Sequence, residues 1–189
     1  MQKIFCIYGL PASGKTTQAE KLAKTFNFQQ FGMGDRLRAE IESGSELGKQ
    51  LKDCVTQGVL VSDELMDNVI RNSNIVSGEN AGTIFDGFPR IISQAKMLEK
   101  IIDEAGLDFV GFFYLKVTPE TVIKRIEERA KLTHREDDEN PEAVKNRIDT
   151  FKKESIALIE FYKKQNKLVE IDGELSIEEV YKEIEKYLR

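Results

Sequence analysis

The stretch Gly9–Gln18, GLPASGKTTQ, sets two glycines, a lysine and two threonines in the spacing Gly9-x-x-x-x-Gly14-Lys15-Thr16. That is the Walker A spacing, and its residue types explain the chemistry. Glycine lets the backbone turn several N–H groups toward one centre, lysine adds a positive charge, and a hydroxyl can face a divalent cation. The apolar run Lys3–Tyr8 leads into the loop, and GKTTQAEKLAKTF follows it with Ala19, Leu22, Ala23 and Phe26 on one helical face. Strand, loop and helix N-terminus in that order build an anion site from backbone. Gly9, Ala12, Ser13, Gly14, Lys15, Thr16 and Thr17 are therefore expected to hold the phosphates of a nucleoside triphosphate.

The arginines carry the second half of the reading. Of the 28 basic residues only nine are arginine, and most of those nine fall at suggestive places. A guanidinium grips a phosphate with two parallel bonds, whereas an ammonium offers a compact point charge. Arg90 closes DGFPR at a strand end, where ligands sit in open parallel sheets. Arg125 and Arg129 lie one helical turn apart, Arg135 follows in a short polar loop, Arg147 is on the next helix, and Arg38 follows GMGD. Glu127 and Glu128 offer Arg125 and Arg129 an alternative life on a solvated helix face, and Arg36, Arg71 and Arg189 read as surface residues. Several forks around one phosphate cradle point to a phosphoryl group moving between two phosphorylated partners. Such a reaction needs positioning and charge neutralisation more than a protein nucleophile. The lone histidine, His134, reads as a solvated loop residue, and no Ser/His/Asp or Cys/His set can be built around it.

These residues must be positioned by a scaffold of short strands alternating with helices. Strands are predicted at Lys3–Tyr8, within Gly82–Arg90, at Val110–Val117 and at Lys167–Asp172, with a weaker candidate at Phe26–Phe31. Helices are predicted after the loop and over 34–43, 46–56, 62–72, 91–105, 119–130, 141–165 and 176–188, with Pro119 and Pro141 marking starts. The alternation implies an α/β domain with a parallel sheet covered on both faces. A length of 189 residues suits one compact domain, and 40% hydrophobic with 32% charged residues is an ordinary globular balance. The net charge of -5 excludes general attraction to nucleic acid or to an anionic membrane. Cys6 and Cys54 are too few for a four-cysteine zinc site and read as reduced thiols. FVGFFYL is the best apolar run and is far short of a membrane span. The apolar stretch of MQKIFCIYG is too short for a signal peptide, so a cytoplasmic protein is expected.

Together these motifs resemble the adenylate kinases, a branch of the nucleoside monophosphate kinases, over nearly the whole chain. GLPASGKTTQ resembles the phosphate loop of that family, and DGFPRIISQ (Asp86–Gln94) is close to its signature. GMGDRLRAEI (Gly32–Ile41) and GVLVSDEL (Gly58–Leu65) look like the ends of its monophosphate-binding lobe. REDDENPEAVKNR (Arg135–Arg147) resembles its lid segment, and FYKKQNKLVEIDG (Phe161–Gly173) its last helix–strand passage. The resemblance implies a doubly wound five-stranded P-loop core, 1–33, 63–128 and 141–189, with two small mobile lobes: an AMP-binding lobe, 34–62, and a short lid, 129–140. It implies the reaction ATP + AMP ⇌ 2 ADP, serving adenine nucleotide balance, in a monomer that needs no nucleic acid or membrane.

By the same resemblance Lys15, Arg90, Arg125, Arg129, Arg135 and Arg147 are the catalytic set. Arg129 and Leu175 join the loop at ATP. Met33, Arg38, Val59, Leu60, Val61, Gly87, Phe88, Pro89, Arg90, Gln94, Arg135 and Arg147 surround AMP, with Gln94 reading the adenine. Magnesium arrives with ATP and is held through water by Asp86, with Thr16 or Thr17 as a possible hydroxyl; the lid has neither room nor cysteines for zinc. The chain departs from the family pattern at Ala12 and Thr16, which stand for glycines, and at Met33, which stands for a threonine. Alanine at position 12 demands that the loop avoid positive φ or bear strain. Two other readings stay open: a uridylate/cytidylate kinase, disfavoured because Gln94 suits an adenine edge, and a P-loop regulatory protein, disfavoured by the arginines.

Overall fold

The computed structural model describes residues 2–71, 80–133 and 136–188. Five strands form one parallel sheet in the order β2-β3-β1-β4-β5: β1 (Lys3–Gly9), β2 (Phe28–Gly32), β3 (Gly82–Asp86), β4 (Asp108–Lys116) and β5 (Leu168–Asp172). Between them run α1 (Lys15–Phe26), α2 (Met33–Glu42), α3 (Glu46–Gln57), α4 (Asp63–Arg71), α5 (Ile92–Glu104), α6 (Pro119–Thr133), α7 (Glu136–Glu139), α8 (Pro141–Lys164) and α9 (Ile177–Glu185). The expected α/β architecture is therefore present. Among the described residues no helix is long and apolar enough to cross a membrane.

The sheet is buried on both sides because the middle residues of its central strands, Ile4–Tyr8, Ile84–Phe85 and Phe112–Phe113, are apolar on both faces. Side chains alternate faces along a strand. Phe5 and Ile7 pack with Ile84, Phe113 and Leu115 under α1 and α9. Ile4, Cys6 and Tyr8 face the other way, onto Phe31, Phe85, Phe112 and Tyr162. Phe112 and Tyr162 stack with ring centroids 4.3 Å apart, fixing β4 against α8. A third, smaller core of Leu10, Val122, Ile126 and Ile148 joins the loop after β1 to α6 and α8. These helices carry arginines, so that small core sets where the arginines stand.

Helix ends follow their local chemistry. Asn140 caps α8, its side chain accepting from the N–H groups of Glu142 and Ala143, with Pro141 in the first turn. Ser176 and Glu179 form a reciprocal capping box at α9. Helix α1 differs. Its cap is Gly14, at φ 96°, and no side chain caps it, so its first N–H groups point toward the loop without a side-chain acceptor.

Some boundaries differ from those predicted. Helix α6 runs to Thr133, past the expected end at 130, and the single-turn helix α7 was not foreseen. Helix α9 ends at Glu185 rather than 188, and β2 begins at Phe28, after the left-handed Asn27 that closes α1. The prediction for 62–72 runs one residue beyond the described part of α4.

Candidate active site

In this strand order, the connections leaving β1 and β3 pass to opposite sides, which opens a crevice at their carboxyl ends. A cleft of about 290 Å³ lies there, lined by the loop after β1, the β3 end, α2, the segment after α3, and α6 and α8. Its walls include Gly9, Ala12, Gly14, Lys15, Thr16 and Thr17 from the loop. Gly9 and Gly14 adopt φ 154° and 96°. Gly9 has a second reason to be glycine, since a Cβ there would meet the Leu115 carbonyl oxygen at 2.8 Å. Ala12 sits at φ 56°, so the loop keeps the left-handed turn and the alanine bears its strain.

Lys15 curls back over the loop. Its ammonium donates to the carbonyl oxygens of Gly9 (3.1 Å) and Leu10 (2.7 Å) and to Ser13 Oγ (3.4 Å). Burial pushes its pKa down to about 7; Asp86 opposes that, while Arg90, Arg147 and Arg129 add to it. An anion bound among these four cations would reverse the balance and restore the charge. Thr16 donates from Oγ1 to Asp86 Oδ2 at 2.6 Å, which ties the first turn of α1 to the end of β3.

Arginines converge on the same space. Arg38, Arg90, Arg125, Arg129 and Arg147 all line the cleft. Arg90 is fixed by its own turn, Nε donating to the Gly87 carbonyl at 3.1 Å; Gly87 has φ 74°, and the Phe88–Pro89 peptide is cis. Arg125 donates to the Gly173 carbonyl at 3.3 Å, and Arg38 pairs with Asp35 on its own helix. Arg129 and Arg147 share one carboxylate. Arg129 makes a two-pronged contact with Asp138 (2.7 and 2.9 Å), and Arg147 adds a bond at 3.0 Å. The Asp138 side chain is fully buried. Burial alone would raise its pKa, but the bonds and charge of Arg129 and Arg147 outweigh it and hold the carboxyl below its usual range.

Several expected residues stand behind the wall rather than in it. Ser13 is buried beneath Lys15. Met33 and Val61 are core residues, and Phe88 packs on Phe85, with centroids 5.9 Å apart. Pro89 belongs to the turn between β3 and α5, outside the cleft lining. Leu175 is partly exposed just before α9 and also falls outside the lining. Val59 and Leu60 do face the cleft. Gln94 is wholly buried: its Oε1 accepts from the Arg90 N–H at 2.9 Å, and its Nε2 has no partner among the described residues. Arg135 and His134 lie outside the described residues.

Sequence reasoning did not single out Asp138. A carboxylate beside an arginine-rich segment was the available signal, but the spacing from Asp138 to Arg129 and Arg147 marks no common helix face. It also missed the wall built by Tyr8 with Thr150, Phe151 and Glu154 of α8. Tyr8 stacks on Phe151, centroids 5.1 Å apart, and burial holds its hydroxyl protonated far above the usual range.

The family model described as adenylate kinase matches residues 7–167. The chain belongs to the adenylate kinase family. Among curated relatives it is similar to an adenylate kinase of Parabacteroides distasonis, 40% identical over 180 residues, spanning 95% of this chain and 94% of that one. An adenylate kinase of Azobacteroides pseudotrichonymphae is 38% identical over 94% of this chain and 93% of its own. One from Xanthomonas euvesicatoria is 37% identical over 96% and 97%. The adenylate kinase match spans the cradle, residues 34–62, DGFPR and both arginine helices, and thus the whole cleft.

Proposed function

We propose that this protein transfers the terminal phosphoryl group of ATP reversibly to AMP, giving two ADP, and so balances the adenine nucleotides. One observation carries the reading beyond family membership: five arginines and Lys15 line one cleft that is otherwise built from a phosphate loop. ATP lies with its phosphates in the loop, where the uncapped first turn of α1 and the loop N–H groups bind them. AMP enters from the side of α2 and the segment after α3, its phosphate held by Arg38 and Arg90. The two phosphates then meet in line, and Lys15, Arg125, Arg129 and Arg147 neutralise the charge that develops between them. By the family resemblance Arg135, outside the described residues, is expected to belong to the same set.

Asp86 and Thr16 present a carboxylate and a hydroxyl at the cleft edge, and such hard oxygens suit a hydrated magnesium ion. Magnesium bound with ATP would supply positive charge against the phosphates. The unpaired Gln94 Nε2 is a buried donor awaiting an acceptor, and its Oε1 is already engaged. We read it as the contact that selects adenine at the acceptor site, with Met33, Val61 and Phe88 supporting that pocket from behind. Residues 34–62 and 129–140 act as two lobes that close over the nucleotides and exclude water. The protein works as a cytoplasmic monomer and needs no nucleic acid or membrane.

The test is direct. Purified protein with ATP and magnesium is offered AMP, CMP and UMP in turn, and ADP is followed. AMP should be used fastest; faster use of CMP would transfer the protein to the pyrimidine kinases. Gln94→Ala should raise the KM for AMP by roughly two- to tenfold and narrow the preference, leaving the KM for ATP unchanged.

A further inference from the structure

We propose that the Tyr8 hydroxyl donates a hydrogen bond to the phosphate of the acceptor nucleotide, beside Arg90; this rests on the ATP-and-AMP reading above.

A buried tyrosine hydroxyl ordinarily finds a hydrogen-bond partner, because leaving it unpaired forfeits its solvation. Tyr8, near the end of β1, is only 3% exposed. Among the described residues its hydroxyl nevertheless takes no hydrogen-bond partner. It differs from the Tyr162 hydroxyl, which is also unpaired but sealed in the core. The Tyr8 hydroxyl is not sealed, and Tyr8 forms part of the cleft wall. Its open direction is therefore the space where the nucleotides meet.

Packing keeps the hydroxyl there. The Tyr8 ring stacks on Phe151 with centroids 5.1 Å apart and tilts against Phe112 at 4.9 Å and Tyr114 at 5.9 Å. A tyrosine has few torsions to freeze, so a ring held this way is a donor in place before any ligand binds.

The charges nearby name the acceptor. Arg90, Tyr114 and Glu154 are the titratable groups that act on the phenol. Arg90 comes from the turn after β3 and Glu154 from α8, and both line the cleft. A phenol O–H and a guanidinium facing one space are donors alone, and an anion with several oxygens satisfies both. A phosphate held by Arg90 is that anion. Burial keeps the phenol protonated, so it remains a donor. Glu154 is the rival acceptor within the fold, but it makes no hydrogen bond to Tyr8 and lies 3.7 Å from the exposed Lys153 ammonium.

Tyr8→Phe removes the hydroxyl and keeps the ring stack. Calorimetry on the full chain compares AMP, its 2′-deoxy and 3′-deoxy forms, and ATP, with no turnover needed. Tyr8→Phe should weaken AMP and both deoxy forms by the same factor, about tenfold, as expected for a bond to a charged oxygen. ATP affinity should change by less than about twofold. The Tm without ligand should not fall, since the hydroxyl has no partner in the fold among the described residues. Unchanged AMP affinity would overturn the proposal. So would a loss seen with AMP but absent from either deoxy form, which would move the hydroxyl to the ribose. A lower Tm with equal weakening of AMP and ATP would overturn it too, making Tyr8 a packing residue. A wild type that fails to make ADP from ATP and AMP would defeat the functional reading. One that makes ADP while Tyr8→Phe binds AMP normally would defeat this proposal alone.

Discussion

On the function proposed above, the cradle after β1 and the arginine pair on α6 and α8 both meet phosphate, but they are built on opposite principles. The cradle is backbone: its shape comes from φ values at Gly9, Ala12 and Gly14, and from the buried strand that leads into it. The arginine pair is side chain: Arg129 and Arg147 are held by the one buried carboxylate of Asp138. That carboxylate gathers and orients the forks before any substrate arrives, and it keeps two cations close together that would otherwise repel. The first kind of site is set by backbone geometry, whereas the second rests on a side-chain pairing with which a bound phosphate can compete.

The sharpest way to break this comparison is at Lys15, the cation that the loop adds to its backbone. Its charge matters where the phosphoryl group moves, so Lys15→Met should lower kcat by about a hundredfold or more with the circular dichroism spectrum unchanged. Near-normal turnover would mean that the backbone alone suffices.

Asp138 tests the other side. Asp138→Asn removes the charge between Arg129 and Arg147 and one of its acceptor oxygens, and denaturant titration should show a loss of about 1–3 kcal/mol, since both guanidiniums are largely buried. The pH dependence follows in sign. The folded carboxyl lies below its reference of 3.8, so its contribution is complete above that pH and is lost as pH falls through the lower folded value. The wild type should therefore lose this increment only in acid below 3.8, and Asp138→Asn should show a flatter profile there. An identical acid profile in the two proteins would remove Asp138 from the account.

Hydrogen exchange sharpens the contrast between a preformed and an assembled site. A ligand that joins both nucleotides should slow exchange severalfold in 34–62 and in the described amides of 129–140. Amides of β1 and β3, already buried in the sheet, should change little. Equal protection everywhere would mean that 34–62 and 129–140 are as rigid as the core.

The smallest effect is expected at Ala12. Glycine would relieve the left-handed strain at φ 56° but would also gain freedom in the unfolded chain. The two effects partly cancel, so Ala12→Gly should raise stability by no more than about 1 kcal/mol, read as a small shift in Tm. A marked loss of stability would show that the alanine methyl packs more strongly than its backbone strains.

Much of the scaffold was legible because its signals are local. Apolar runs between glycine-bearing turns gave the strands, proline gave the starts of α6 and α8, and the loop spacing gave the cradle. Helix α7 escaped because a single turn has no periodicity to read, and the end of α6 escaped because polar residues such as Lys131 continue a helix without marking its face. Around the cleft, residues named by motif divided by depth. Lys15, Thr16, Arg38, Arg90, Arg125, Arg129 and Arg147 line it, whereas Met33, Val61, Phe88 and Gln94 lie behind it. A motif fixes which residues are near each other in sequence, and says nothing of which side of the chain faces in.

The sequence by itself determined the order of strands and helices, the cradle, and the set of cations around it, because periodicity, turn chemistry and residue type act over a few positions. Only the tertiary structure decided which partners those residues take. Thr16 rather than Thr17 meets Asp86, across seventy positions of chain, because β3 lies beside β1 in the sheet. Arg129 and Arg147 share Asp138 because the core of Leu10, Val122, Ile126 and Ile148 sets α6 and α8 together. Such pairings depend on the packing of distant elements, where spacing along the chain carries no distance in space.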